Sequence, residues 1–411
     1  MSKRYATILI RENIDAFQHN RVFAEELREA FEERNVAIDV IDYMQNAQAL
    51  RRALEDKNCL FILCFNGFGS EIQIQFAPGC LKSAYEVYQK PLIDLMHDCP
   101  AHETMSHQIS STFQQRNLFL TDYGYVSVAN ALGMPNVRFS PSITFPRHIS
   151  KTPKHADRTV NVLLPIGLSN PALASSRYVQ DGLRNRVYRA VFDTTIWRCI
   201  GDFNLDPLTT LVRDCVDACL PLDFNTEDSR FLYSTIADFV KFERRRRILN
   251  AISHLPVTVV GDQPPDAGIT TGSMKFETSR TFADLLKMMT NCRSVICLTP
   301  HMTGFHERVL GAMTAGATVI SSPNYLLESL FIDREEIIFF RNENELARVI
   351  EQLIAEPLEF ERIAQKGHER SASIFNPHRF AALTLSILRS DVGSIRESDQ
   401  SASLSAASHG A

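Results

Sequence analysis

Between Ser294 and Ile320 the chain spells a strand, a polar loop, a helix, a glycine stop and a second strand. Ser294 to Leu298 and Ala317 to Ile320 are apolar runs of strand length. Between them Val309, Ala312, Met313 and Gly316 recur at helical spacing and form one small face. A helix with so small a face can sit close against a sheet. The loop gathers Thr303, His306, Glu307 and Arg308 around the helix N-terminus. Unpaired backbone N–H groups and a positive partial charge make that end a seat for phosphate. Polar residues at the C-terminal edge of such strands stand where open α/β sheets bind ligands.

The rest of the chain repeats the alternation. Ala6 to Ile10, Val36 to Ile41, Cys59 to Phe65, Leu92 to Met96 and Leu118 to Leu120 read as strands. Phe17 to Arg34, Gln45 to Asp56, a segment near Leu81 to Tyr88, and Val126 to Leu132 read as helices. This pattern predicts a mostly parallel, doubly wound sheet. Ser140 to Pro153 reads as a linker, and Thr159 to Ile166 opens a second sheet. Tyr178 to Ile252 is mainly helical, Pro256 to Gly261 returns to strand, and Phe282 to Met289 is a helix. Asn342 is placed to cap a helix, with Glu345 as its capping-box partner; Pro357 and Pro377 stand at helix starts. The expected division is an N-terminal domain over 1–150, a C-terminal domain over 155–390 and a disordered tail over 394–411, rich in Ser and Ala.

A chain of 411 residues is long enough for two domains with large cores. Its net charge of -5 argues against a nucleic-acid partner. No apolar run is long enough to span a bilayer, and no signal peptide opens the chain, so a cytoplasmic location is expected. Nine scattered cysteines, several in predicted strands, suit free thiols in a reducing compartment.

Gly304 to Leu310, followed by Ala312-Met313 and Ala315-Gly316-Ala317, resembles the nucleotide-sugar-binding half of glycosyltransferases with two Rossmann-like domains, the GT-B fold. The resemblance is closest to the spore-maturation (CgeB-type) branch, related to glycosyltransferase family 4. It continues through Ser322 to Leu326, Phe339 to Leu346 and Ile363 to His368 and covers roughly Val257 to Leu388. The family's two glutamates, eight positions apart, fall here on Thr303 and Gly311, so both are missing.

The resemblance implies an α/β fold of two Rossmann-like domains facing across a cleft. It implies a metal-independent transferase, a hexosyltransferase, moving a sugar from a nucleotide-activated donor to an acceptor that could be a glycan, a protein or a small molecule. No cofactor is expected beyond the donor itself. Donor contacts are expected from Gly261, Asp262, Thr303, Gly304, Phe305, Arg308, Asn324 and Tyr325, with His306 and Glu307 orienting sugar or ribose hydroxyls. The alternatives are an inactive glycosyltransferase-like binding module, motivated by the missing glutamates, and a GT-B-fold sugar epimerase.

Two N-terminal loops follow strands and so face the same edge. Asn66-Gly67-Phe68-Gly69-Ser70-Glu71 either lines the acceptor side, through Asn66 and Gly67, or is a plain βα turn. His97-Asp98-Cys99-Pro100-Ala101-His102-Glu103 matches no standard zinc spacing. His97 and His102 are placed on the acceptor side. Asp98 or His102 is the candidate base for an acceptor hydroxyl; the bland alternative is a polar loop with a helix cap from Asp98. Arg244 to Arg247 reads as a solvated helix whose side chains point around the axis, although one of them, or Lys275, could still reach a diphosphate. Cys215 and Cys219 are expected to pack rather than bind metal.

Overall fold

The computed structural model describes residues 4–13, 15, 17–105, 112–149, 152–173, 186–262, 267–299 and 302–389. The tail over 394–411 lies outside the described residues. The first half runs β1 (Tyr5–Ile10), α1 (His19–Glu32), β2 (Ala37–Asp42), α2 (Ala47–Glu55), β3 (Cys59–Phe65), β4 (Gln73–Ala77), β5 (Cys80–Ser83), α3 (Ala84–Val87), β6 (Leu92–Met96), β7 (Arg116–Leu120), α4 (Tyr123–Ala131) and β8 (Val137–Phe139). Six of these strands form a wholly parallel sheet in the order β2-β1-β3-β6-β7-β8.

The second half runs β9 (Val160–Pro165), α5 (Arg186–Gly201), α6 (Pro207–Asp217), α7 (Glu227–Ala251), β10 (Val257–Val260), β11 (Lys275–Glu277), α8 (Phe282–Thr290), β12 (Cys292–Cys297), α9 (Glu307–Thr314), β13 (Thr318–Ser321), α10 (Tyr325–Leu330), β14 (Ile338–Phe339), α11 (Glu343–Ala355), α12 (Pro357–Ile374) and a last helix, α13, over 377–389. Its sheet is also parallel, ordered β11-β10-β9-β12-β13-β14. Parallel, doubly wound sheets are what the alternation predicts, and two of them facing across a cleft are what the resemblance implies. No helix among the described residues is long and apolar enough to cross a membrane. All nine cysteines are free.

One predicted helix is mostly something else. Leu81 and Lys82 belong to an antiparallel hairpin with Gln75 and Ile74, and only one helical turn follows from Ala84. Pro78-Gly79 forces the reversal, with Gly79 in the left-handed region at φ 76°. The cap of α11 forms with a shift. Asn342 accepts from the Glu345 N–H at 3.0 Å, but the Glu345 carboxylate reaches the N–H of Arg341, not that of the cap.

The second half grips the first sheet on both faces. On one face Ile93, Leu95 and Phe119 pack with α1 and with Phe375, Phe380 and Leu388. Phe380 of α13 stands edge-on to Phe119 at 5.9 Å, and Thr144 of the linker donates to the Phe375 carbonyl at 2.9 Å. The alternate residues Met96, Leu118 and Leu120 face the other way, into a cluster with Leu232, Tyr233, Ile236 and Val240 of α7. The three-helix insertion α5–α7 thus leaves the second sheet between β9 and β10 and lies against the first.

Candidate active site

In the second sheet β9 and β12 are neighbours although the chain leaves β9 toward β10, so the strand order reverses between them. Ligands of open α/β sheets bind outside the carboxyl ends of strands at such a point. Here those ends open into a cleft of about 370 Å³ between the two halves, roofed by α7.

At the floor of the cleft stands the first turn of α9. Its cap, His306, contributes no side-chain bond to the helix. The His306 Nδ1 instead lies 2.6 Å from Glu307 Oε1. The Arg308 guanidinium lies along the same imidazole, with Nη2 3.0 Å from Nε2, and its Nη1 donates to the Pro165 carbonyl at the end of β9. Arg308 Nε also lies 3.2 Å from Nδ1, so the guanidinium approaches both ring nitrogens. Burial opposes the Glu307 charge, but His306, His19 and Arg308 outweigh it and hold the carboxyl well below the usual range. Burial, then the Arg308 charge, pushes the His306 imidazole down.

The roof contradicts the solvated reading of the arginine run. Asp238, Lys241, Arg244, Arg245 and Ile248 recur at steps of three and four, lie on one face of α7 and line the cleft. Arg244 donates to the carbonyls of Cys199, Asp202 and Leu205, satisfying the open C-terminal end of α5. Arg245 donates to the Gly167 carbonyl at 2.5 Å, two residues from the anchor of Arg308. Burial, then the Arg308 charge, brings Arg245 down to about 9. Among the described residues neither Arg245 nor Arg308 has a carboxylate within ion-pair distance. Arg246 and Arg247 point away, to Glu243 and Glu343, both at 2.6 Å. Lys275 pairs with Glu277 on the edge strand and does not line the cleft.

The third wall comes from the first half. Asn66, at φ 48°, accepts the His97 N–H at 2.7 Å and donates to Asp98 Oδ2 at 2.9 Å, which buttons the two predicted loops together. Gly67 donates to Asp94, whose other oxygen is paired with the buried Arg116 at 2.5 Å. Asp98, His97 and His102 line the cleft. His97 lies edge-on to His19 at 5.2 Å, and burial drives it down to about 3, so it is neutral. His102 bonds Thr104 at 2.9 Å and faces Asp238 at 3.9 Å. The side chains of this loop diverge, and no group of three metal-ligand side chains converges among the described residues.

Other expected donor residues stand apart from the cleft or hold its walls. Thr303 donates to Asp122 Oδ1 at 2.8 Å and accepts the Gly124 N–H at 3.1 Å, and Gly304 forms a two-residue β-bridge with Asp122. These contacts latch the two halves. Gly304 and Phe305 line the cleft, with Phe305 edge-on to Phe375 at 5.3 Å. Asn324 is fully buried, caps α10 and donates to the Gly304 carbonyl. Tyr325 is exposed, its hydroxyl on the Asn204 carbonyl at 3.3 Å. Asp262 accepts the Ser279 N–H, and Gly261 packs so tightly on Ile166 that a Cβ would lie 1.8 Å from its carbonyl oxygen. Gly311 faces Leu286, whose methyl would be 2.7 Å from a Cβ. Sequence reasoning missed His19, Asp122 and Lys241, and read Arg244 and Arg245 as part of a solvated run from which one arginine could reach a diphosphate. For the last three the signal was present: Lys241, Arg244, Arg245 and Ile248 share helical spacing with an apolar neighbour.

A family model described as glycosyl transferase-like matches residues 244–385, from the cationic face of α7 to α13. No curated protein matches the chain at the sequence level. Sucrose-phosphate synthase from Thermosynechococcus elongatus is 12% identical, with a TM-score of 0.54 over 95% of this chain and 100% of that one. Anabaena HepE, solved with UDP and glucose, is 12% identical, with a TM-score of 0.53 over 93% and 99%. T4 phage BGT, solved with UDP-glucose, is 9% identical, with a TM-score of 0.53 over 94% and 99%. The likeness spans both halves and shows the shared two-domain GT-B fold.

Proposed function

We propose that the chain is a glycosyltransferase that takes a nucleotide-activated sugar in this cleft and passes the sugar to an acceptor entering past Asp98 and His102. The observation that carries the reading is the pair Arg245 and Arg308. Both are anchored to neighbouring carbonyls at the end of β9, both face the cleft, and neither has a carboxylate partner among the described residues. Two neighbouring guanidiniums repel each other until an anion joins them, and a diphosphate fits that requirement bidentately. As the leaving group gathers charge, the same pair and the N–H groups of α9 stabilise it, so the reaction needs no metal. The glycosyl transferase-like match over 244–385 and similar structures solved with UDP and glucose or with UDP-glucose support a sugar nucleotide over other diphosphates.

Glu307, ionised and beside the cationic pair, is placed to accept sugar hydroxyls; Asp98 is placed to take the acceptor proton. Calorimetry with UDP-, GDP- and ADP-sugars tests the reading. One donor should bind, with and without EDTA, and Arg308→Ala should weaken it more than tenfold, the scale of one charge-assisted bond. Binding of no sugar nucleotide, or binding indifferent to Arg308, rejects the proposal. Release of free sugar or of an epimer from the bound donor would separate hydrolysis and epimerisation from transfer.

A further inference from the structure

His19 is the first residue of α1, in the opposite half from Glu307, and its backbone N–H is held by Asp15 Oδ1 at 2.9 Å. Its ring is wedged among Phe23 at 4.7 Å, Phe282 at 4.9 Å and His97 at 5.2 Å, with Phe282 coming from the second half. Packing this tight fixes where the ring nitrogens point. Nε2 is buried and has no hydrogen-bond partner, and lies 3.6 Å from Glu307 Oε1. A buried nitrogen left unbonded is unfavourable, so its position beside a carboxylate asks for an account that packing alone does not supply. His306 Nδ1 approaches the same oxygen from the other side, at 2.6 Å. Two imidazoles from opposite halves therefore converge on Oε1, while Oε2 accepts nothing from the described residues of a cleft-lining side chain.

We propose that His19 is a positioning residue: it fixes the Glu307 carboxylate from across the cleft so that Oε2 accepts a hydroxyl of the donor's sugar. The proposal rests on the donor reading above. It makes the sugar subsite complete only when the two halves are together, because one of the two groups orienting the carboxylate belongs to α1. The diphosphate subsite, built on Arg245 and Arg308, does not depend on His19.

That separation provides the test. Nucleoside diphosphates and the matching sugar nucleotides are titrated by calorimetry into the full chain and into His19→Phe and His19→Gln. Phenylalanine keeps the ring packing and removes the nitrogen; glutamine gives up the packing and returns an amide nitrogen near the place of Nε2. His19→Phe should bind the diphosphate as the parent does but lose about tenfold in affinity for the sugar nucleotide, the scale of one bond to a charged group. His19→Gln should recover most of that loss. In a Glu307→Gln background, His19→Phe should have no further effect. A His19→Phe protein with the parent's ratio of sugar-nucleotide to diphosphate affinity overturns the proposal. So does equal loss of both ligands, which marks a structural role. If the parent binds the diphosphate but no sugar nucleotide, or binds neither, the donor reading falls and takes this proposal with it.

Discussion

Replacing Arg245 by methionine should stabilise the ligand-free protein while disabling it. Arg245 is 8% exposed, and its lowering to about 9 from the usual 12.5 reflects burial and the neighbouring Arg308 charge. At about 1.4 kcal/mol per pH unit, that lowering corresponds to roughly 5 kcal/mol against the charged form, an upper figure before relaxation and water entry. The penalty is present at any pH below the folded value, so it is complete at neutrality. Methionine fills much of the same apolar volume, gives up the bond to Gly167 and removes the repulsion. A net gain of about 1–3 kcal/mol in unfolding free energy is expected, of the size seen when buried charges give way to apolar side chains. Affinity for the nucleoside diphosphate should fall at least tenfold, a charge-assisted bond's share. Urea unfolding of the ligand-free protein and calorimetry on the same samples measure both. A variant that is less stable and binds as the parent does would refute the claim that these cations are held in opposition for an anion.

Asp98→Asn should depress turnover far more than donor affinity, because it keeps the bond network with Asn66 but removes the proton acceptor; equal loss in both would place Asp98 elsewhere in the mechanism. Gly304→Ala should cost about 1–3 kcal/mol and impair donor binding, since its Cβ would stand 2.6 Å from the Thr121 carbonyl oxygen and 2.5 Å from Asp122 Oδ2; parental melting and binding would show the latch to be loose. His148 bonds Glu26 at 2.7 Å and Glu25 at 3.1 Å, and the Glu26 bond chiefly raises its pKa. A raised histidine stabilises fully below its unfolded value of about 6.5 and loses that contribution as pH climbs through the folded value. His148→Gln should therefore melt below the parent at pH 5.5 by a margin that narrows toward pH 9, and a margin that widens would reverse the assignment.

The strands most legible in the sequence are those buried on both faces. Cys59–Phe65 and Leu92–Met96 are read to the residue: the first is an unbroken apolar run between Asn58 and Asn66, and the second is an apolar run interrupted only by Asp94, between Pro91 and His97. The hairpin at Gln73–Ser83 was not, since its strands are short and largely exposed, and apolar patterning is weak there. The residue types of the α9 loop are what mark it as a candidate site, and the fold sets that loop at the floor of the cleft. The cationic face of α7 is hidden in a run of four arginines that only helical spacing sorts into two directions, Arg244 and Arg245 toward the cleft and Arg246 and Arg247 away from it. His19 carries no local signal at all. Its chemistry exists only where α1 meets α9, and a single sequence does not record which helices meet. Thr303 and Asn324 were recognised as site residues by position, yet the structure commits their side chains to holding the walls.

The grip of the second half on both faces of the first sheet bears on how the protein melts. Chains with two similar lobes often lose them one at a time, giving two transitions in a scan. Here, if the second lobe unfolds, Phe119, Leu95 and Ile93 are laid bare on one face and Met96, Leu118 and Leu120 on the other. What remains of the first lobe would keep the cluster under α2 and α3 and its own helices α1 and α4, but it would lose part of its cover on both faces and with it much of the free energy that held it. Calorimetry should therefore record one cooperative peak whose van't Hoff and calorimetric enthalpies agree. The same mutual dependence means that the residues before the linker, produced alone, should not form a stable lobe but should aggregate through two exposed apolar faces.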